Sequence, residues 1–318
     1  MPLPAPLEGR LSLPVMASPM FTISYPELVI AQCKAGIVGS FPSLNARQSG
    51  VFEQWLQRFR EELTGDDAPF AVNLIVHKTN VRLEEDLALC AKYKVPLVIT
   101  SLGAREHVFE TIQAYGGFVF HDVIDNAFAR KAVEKGANGL IAVASGAGGH
   151  AGTQSAFALV QEIRSWWDGP LALSGSIASG ASILAAQAMG ADLAYIGSAF
   201  IATKEANATE AYKQAIVDHG AGDIVYTNLF TGVHGNYLKP SIVNAGLDPD
   251  NLPVSDPSKM NFGSGGNSKS KAWRDIWGCG QGIGAIDAVL SAGDLVDRFK
   301  REYAAARDSL AARSAPYV

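Results

Sequence analysis

The residue best suited to chemistry is a histidine set among glycines. In Ala144-Ser-Gly-Ala-Gly-Gly-His-Ala-Gly-Thr-Gln-Ser155, three glycines precede His150 and one follows it. Without Cβ atoms the backbone can pass close to a flat ligand, while the imidazole projects beside it. An imidazole there can remove a substrate proton near neutral pH or steady negative charge. The bland alternative, a ring satisfied by the loop's own carbonyls, is the weaker reading in such a setting. Two small-residue turns, Ser174-Gly-Ser-Ile177 and Gly197-Ser-Ala199, each end an apolar run and feed a helical pattern. Their backbone N–H groups could surround a phosphate, so Gly175, Ser176, Gly197 and Ser198 read as a cradle for a nucleotide cofactor. Asn73 interrupts the apolar run Phe70-Ala-Val-Asn-Leu74. A buried amide needs partners, either on a neighbouring strand or on the edge of a heterocycle. Met16-Ala-Ser-Pro-Met20 closes another run in small residues, leaving room for a planar ring or making a tight turn. His121 ends a run and could face the ligand, and His77 is similarly placed. His107 and His219 fall in helical patterns and read as surface residues, and His234 lies in a long irregular region.

Other chemistries find no support. No HxH, HExxH or clustered carboxylates mark a metal site, and neither GxSxG nor GxxxxGK[ST] occurs. Cys33, Cys90 and Cys279 are odd in number and widely spaced, which supports neither a disulfide framework nor zinc; they read as small buried hydrophobes. A net charge of −5 with no basic block argues against binding to nucleic acid or an anionic membrane. No apolar stretch is long enough to span a bilayer, and Met1-Pro-Leu-Pro-Ala-Pro lacks a signal-peptide pattern, so a cytoplasmic protein is expected.

The elements that must position these residues follow from the apolar rhythm. Of 318 residues, 48% are hydrophobic, enough for a large core. Short, continuously apolar runs occur at 14–17, 36–40, 70–76, 97–101, 117–121, 139–144, 171–174 and 193–197. Amphipathic patterns lie between and after them at 25–35, 47–63, 81–93, 105–115, 126–135, 156–166, 180–189 and 205–219. Eight such units predict an α/β fold, a (β/α)8 TIM barrel over 1–219, in preference to a doubly wound sheet. The candidate residues then collect at the carboxyl ends of the strands. Residues 220–282, rich in Gly, Asn, Ser and Pro but carrying Tyr226, Phe230, Tyr237, Trp273 and Trp277, read as a lid or small subdomain over the barrel mouth. A closing helix from about residue 282 and a fraying tail complete the chain. A homo-oligomer is expected only weakly.

Taken together, several of these segments resemble one family. They are Pro14-Val-Met-Ala-Ser-Pro-Met20, Ala71-Val-Asn-Leu74, Gly148-Gly-His-Ala-Gly152, Ala172-Leu-Ser-Gly-Ser-Ile177, Gly190-Ala-Asp192 with Ile196-Gly-Ser198, and Gly280-Gln-Gly282. The chain is similar to the nitronate monooxygenases (2-nitropropane dioxygenases), FMN-containing TIM barrels related to FMN-dependent enoyl-ACP reductases. The likeness spans about 12–205 and resumes near 277–286. It implies that Ala17, Ser18 and Met20 lie along the flavin and that Asn73 bonds its pyrimidine side. Gly148 and Gly149 would line its approach, and Gly175, Ser176, Gly197 and Ser198 would hold its phosphate. His121 and Gln281 join the cofactor set, and His150 matches the catalytic histidine. The implied reaction is oxidation of alkyl nitronates, or of nitroalkanes after removal of the α-proton, by O2 to a carbonyl compound and nitrite. An NAD(P)H-dependent FMN reductase acting on an enoyl thioester or quinone is the second reading, and a flavin-binding protein without turnover the third. The chain departs from the family pattern at Gly146 and Ala151, where relatives often carry an acidic and a basic residue. It departs again at His121-Asp122, where many relatives carry a lysine.

Overall fold

A computed structural model of the chain describes residues 3–255 and 275–317. Trp273 and the Gly/Asn/Ser run at 261–269 lie outside the described residues. The chain begins β1 (Val15–Ala17), α1 (Pro26–Lys34), β2 (Gly39–Pro42), α2 (Val51–Glu62), β3 (Phe70–Ile75), α3 (Leu83–Lys92), β4 (Leu97–Ser101) and α4 (Glu106–Gln113). It continues β5 (Phe118–Val123), α5 (Asn126–Glu134), β6 (Gly139–Val143), β7 (Gly149–His150), α6 (Ala156–Arg164), β8 (Leu171–Ser174), α7 (Gly180–Ala188), β9 (Leu193–Ile196), α8 (Ser198–Ile201) and α9 (Glu210–Asp218). Then come β10 (Ile224–Thr227), β11 (Gly235–Leu238), α10 (Lys239–Asn244) and α11 (Ala292–Ser314).

Eight of these strands pair in parallel in the order β1-β9-β8-β6-β5-β4-β3-β2. A parallel bridge between Met16 and Val38 joins the two ends, with Ala17 N donating to Val38 O at 2.8 Å, so the sheet closes into the expected TIM barrel. The strands are apolar on both faces because both are covered. Met16, Ala71, Leu97, Ile99, Phe120, Ile141, Ala172 and Leu193 pack together inside the barrel. Val72, Val98, Val119, Val123 and Leu140 face outward onto helix residues such as Leu87 and Phe109. Leu7 belongs to the interior cluster, so the segment before β1 plugs the amino-terminal end.

Side chains set the helix starts. Asp125 accepts from Phe128 N at 2.8 Å, Ser179 and Ser182 form a capping box, and Thr209 and Ser291 cap α9 and α11. The closing helix differs from the expectation. Residues Gln281–Ala285 form a 3-10 turn, and α11 begins only after Ser291 and runs to Ser314. The irregular region also holds more order than its composition announced: β10 and β11 are antiparallel, and β11 pairs with β7 of the histidine loop.

Candidate active site

The carboxyl ends of the barrel strands open into a cavity of about 1630 Å3. Its walls come from the turns after β1, β3, β4, β5, β8 and β9, from the histidine loop, and from residues 230–234 of the excursion. This volume exceeds the roughly 300–1,000 Å3 of a pocket for one drug-sized ligand, so a cofactor and a substrate fit together.

His150 stands in one wall. Pairing of β7 with β11 sets Gly235 opposite His150, and Ala151 N donates to His234 O at 3.2 Å. The ring Nε2 lies 3.0 Å from Thr231 Oγ1, which itself donates to Val233 O at 2.9 Å. Burial lowers the His150 pKa to about 4, so the ring is neutral at physiological pH. The loop is sewn to the rest of the chain from both sides. Asn236 Nδ2 donates to Ala147 O at 2.6 Å, Gln281 N to Gly146 O at 2.9 Å, and Tyr226 Oη to Ala151 O at 2.9 Å. Glycine is needed at Gly148 because a Cβ there would come within 2.8 Å of Gly280 N.

A second wall is a polar ladder across three adjacent strands. Strand alternation puts Asn73, Ser101 and Asp122 on the barrel-interior parity of Ala71, Ile99 and Phe120. Asn73 Nδ2 donates to Ser101 Oγ at 2.8 Å and to Ile99 O at 3.2 Å. Ser101 Oγ and Asp122 Oδ2 are 2.5 Å apart. All three line the cavity; Asn73 bonds the neighbouring strand, one of the two readings left open for it, and also borders the cavity. Burial pushes the Asp122 carboxyl up to about 7.

The third wall holds the two small-residue turns. Gly175 and Ser176 both take positive φ, +134° and +56°, and Gly197 lies against Ser18 and Met20. A Cβ on Gly197 would sit 3.3 Å from Ser18 Cβ and 3.7 Å from Met20 Sδ, filling the gap between the turns. Ser198 Oγ accepts from Gly280 N at 2.8 Å, and Gly282 packs on the Ser176 backbone.

The structure thus gathers Ser18, Met20, Asn73, Gly148, Gly149 and His150 around one cavity, together with Gly175, Ser176, Gly197 and Ser198. Three expected residues are placed otherwise. The Ala17 side chain packs outward with Val15 and Leu28 in the helix-facing layer, and its carbonyl accepts from Ser40 Oγ at 2.5 Å. Gln281 is exposed and outside the cavity wall, which its neighbours Gly280 and Gly282 form instead. His121 borders the cavity, yet its ring has the outward parity of Val119 and Val123. Its Nδ1 is 2.7 Å from Thr100 Oγ1 and its edge meets Phe109 of α4, while burial holds it neutral with a pKa of about 4. Ser101, Tyr195 and Thr231 line the cavity without having been singled out in the sequence, and Tyr226 of the expected lid lines it as well. Cys279 is buried outside the cavity wall and its thiol is pushed up by desolvation, so it offers no nucleophile. Among the described residues no cluster of His, Cys, Asp or Glu could hold a metal ion, and no helix is long and apolar enough to cross a membrane.

A family model described as nitronate monooxygenase matches residues 78–302. The chain is 24% identical to a nitronate monooxygenase of Paraburkholderia phytofirmans over 93% of both chains. It is 25% identical to a nitroalkane oxidase from Streptomyces ansochromogenes, whose crystal structure it matches with a TM-score of 0.81 over 96% of this chain and all of that one. FabK from Thermotoga maritima shares the fold, with a TM-score of 0.78 at 22% identity over 95% of this chain and 96% of that one.

Proposed function

Because the chain belongs to the nitronate monooxygenase family, whose members are flavin-dependent oxidoreductases, we propose that it oxidises alkyl nitronates with O2, on bound FMN, to a carbonyl compound and nitrite. The observation that carries this reading is the neutral His150, held by Thr231 in the wall of a cavity large enough for two ligands. The residues present fit a flavin. The turns at Gly175-Ser176 and Gly197-Ser198 leave backbone N–H groups and serine hydroxyls for a phosphate, and Gly197 keeps the space between Ser18 and Met20 clear. Asn73, Ser101 and Asp122 give the cavity one polar wall, and among the described residues the buried Asp122 Oδ1 has no partner.

When bound, FMN supplies the electron transfer; the chain supplies binding, orientation and proton handling. Thr231 donates its hydroxyl hydrogen to Val233 O, so His150 donates Nε2–H to Thr231 and Nδ1 is the basic nitrogen. A neutral nitroalkane loses its α-proton to that nitrogen, whereas a nitronate, already a carbanion, needs only to be oriented by the ring. Of residues 220–282, the described stretch at 230–234 borders the cavity and serves as part of a lid over it, whereas 256–274 lie outside the described residues.

Anaerobic titration of the yellow protein with propionate-3-nitronate, followed by flavin absorbance, tests the reading. Bleaching by the nitronate without pyridine nucleotide is expected. The size of the cavity and the cations along it, Arg47, Arg82 and Lys131, favour a second reading, an NAD(P)H-dependent FMN reductase acting on an enoyl thioester or quinone. Bleaching by NADH or NADPH alone would select it, and a colourless protein that binds no FMN would sink both.

A further inference from the structure

We propose that Asp122 stands in the cavity wall as the neutral acid, and that the hydroxyl hydrogen this frees on Ser101 is donated to an acceptor atom of the bound flavin. The inference rests on the flavin reading above and on the direction of each hydrogen bond in the ladder. Asn73 Nδ2 also lies 3.2 Å from the Ile99 carbonyl, which can only accept, so the amide nitrogen is correctly assigned and donates to Ser101 Oγ. Ser101 therefore has one lone pair engaged and one hydrogen to place.

Two arrangements are open to it. With Asp122 ionised, Ser101 spends its hydrogen on Oδ2, and Oδ1 is left as a charged, buried oxygen without a partner. That is the costliest state a carboxylate can occupy. With Asp122 protonated on Oδ2, the acid donates to Ser101 across the 2.5 Å contact, and Oδ1 becomes a carbonyl oxygen, whose lack of a partner costs far less. Ser101 then accepts twice, from Asn73 and from Asp122, and its hydrogen points to the cavity that it lines.

Among the described residues no charged neighbour opposes this. Asn73 on β3 and Ser101 on β4 are neutral, and Ile141 and Val143 on β6 are apolar. His121 on β5 faces the helix layer, and across the barrel the Tyr195 phenol, beside Ser18, is pushed well above its ordinary range by burial and stays neutral. Desolvation is the main influence on Asp122, and its half-ionisation is carried up to about 7. The ladder is thus a donor below that pH, and above it an acceptor bearing negative charge beside the flavin.

Infrared difference spectra, wild type minus Asp122→Asn, test the protonation state directly. We expect a carboxylic-acid C=O band at about pH 6 that disappears as the pH rises through about 7; absence of the band at about pH 6 overturns the proposal. FMN dissociation constants from fluorescence quenching test the donor. Wild-type affinity should fall about three- to tenfold as the pH rises through 7, the worth of one neutral hydrogen bond. Asp122→Asn, whose amide N–H replaces the acid hydrogen toward Ser101, should keep the low-pH affinity throughout. Ser101→Ala should bind weakly at every pH. An Asp122→Asn variant with the wild-type pH dependence overturns the role of Asp122. A wild type that binds no FMN at any pH overturns the flavin acceptor instead, and the infrared band tells the two failures apart.

Discussion

The environment of His150 makes a quantitative claim about pH. An ordinary imidazole titrates near 6.5, but burial penalises the imidazolium here and brings the pKa down to about 4. If Nδ1 is the base that takes the α-proton of a nitroalkane, the rate follows the neutral fraction. At pH 5 that fraction is about 90% for a pKa of 4, against about 3% for a pKa of 6.5, a difference of about thirtyfold. The assay is kcat/KM for a primary nitroalkane under air between about pH 4 and about pH 8, because kcat/KM reports the free enzyme's ionisations. The acid limb should be centred near 4, with activity at pH 5 close to the plateau. His150→Asn should abolish turnover of the nitroalkane while FMN content is retained. Thr231→Val removes the acceptor of Nε2–H, and because the ring is then less firmly held, kcat should drop more than KM changes. A wild-type limb near 6.5, with turnover lost in His150→Asn, would keep the histidine as base but refute its dry environment. Undiminished turnover in His150→Asn would refute its role altogether.

Two further substitutions probe how the frame holds the site. Gly180 opens α7 where α11 crosses it, and a Cβ there would lie 2.2 Å from Tyr303 N and 2.4 Å from Phe299 O, both backbone atoms. Gly180→Ala should therefore force the helices apart and lower stability by about 1–3 kcal/mol in urea melts, and an unchanged midpoint would show that the crossing yields freely. Gly282→Ala would put a Cβ 2.9 Å from Ser176 C and so displace the Gly175-Ser176 turn. FMN affinity should fall about tenfold, equivalent to about 1.4 kcal/mol; undiminished affinity would remove Ser176 from the cofactor site.

What could be read from the residues alone was whatever has a local signature. Continuous apolar runs placed β4 and β8 to the residue, because a parallel strand buried on both faces is marked by its ends alone. The same property hid the facing of individual residues. With both faces apolar, nothing in 118–123 says which parity looks inward, so the sequence leaves open that His121 faces the ligand, whereas Phe120 and Asp122 have the interior parity and His121 borders the cavity from the outward one. Ala17 carries the same ambiguity, its side chain being outward where that of Met16 is inward. At Gln281 it is the flanking glycines, having no side chain to exclude a ligand, that reach the cavity. The hardest part to foresee was the support of His150. A two-residue strand with one glycine carries no periodicity, and Thr231, which fixes the ring, lies 81 residues further along the chain. The distance matters to the chemistry as well as to its reading. A side chain on a glycine-rich loop is poorly placed by that loop alone, and the orientation of His150 is borrowed from β11, whose register sets both Gly235 and the 231–234 turn against it. The placement of His150 therefore depends on the folding of the excursion as much as on the barrel. A lesion in β10 or β11 that leaves the barrel intact should act as a lesion of His150.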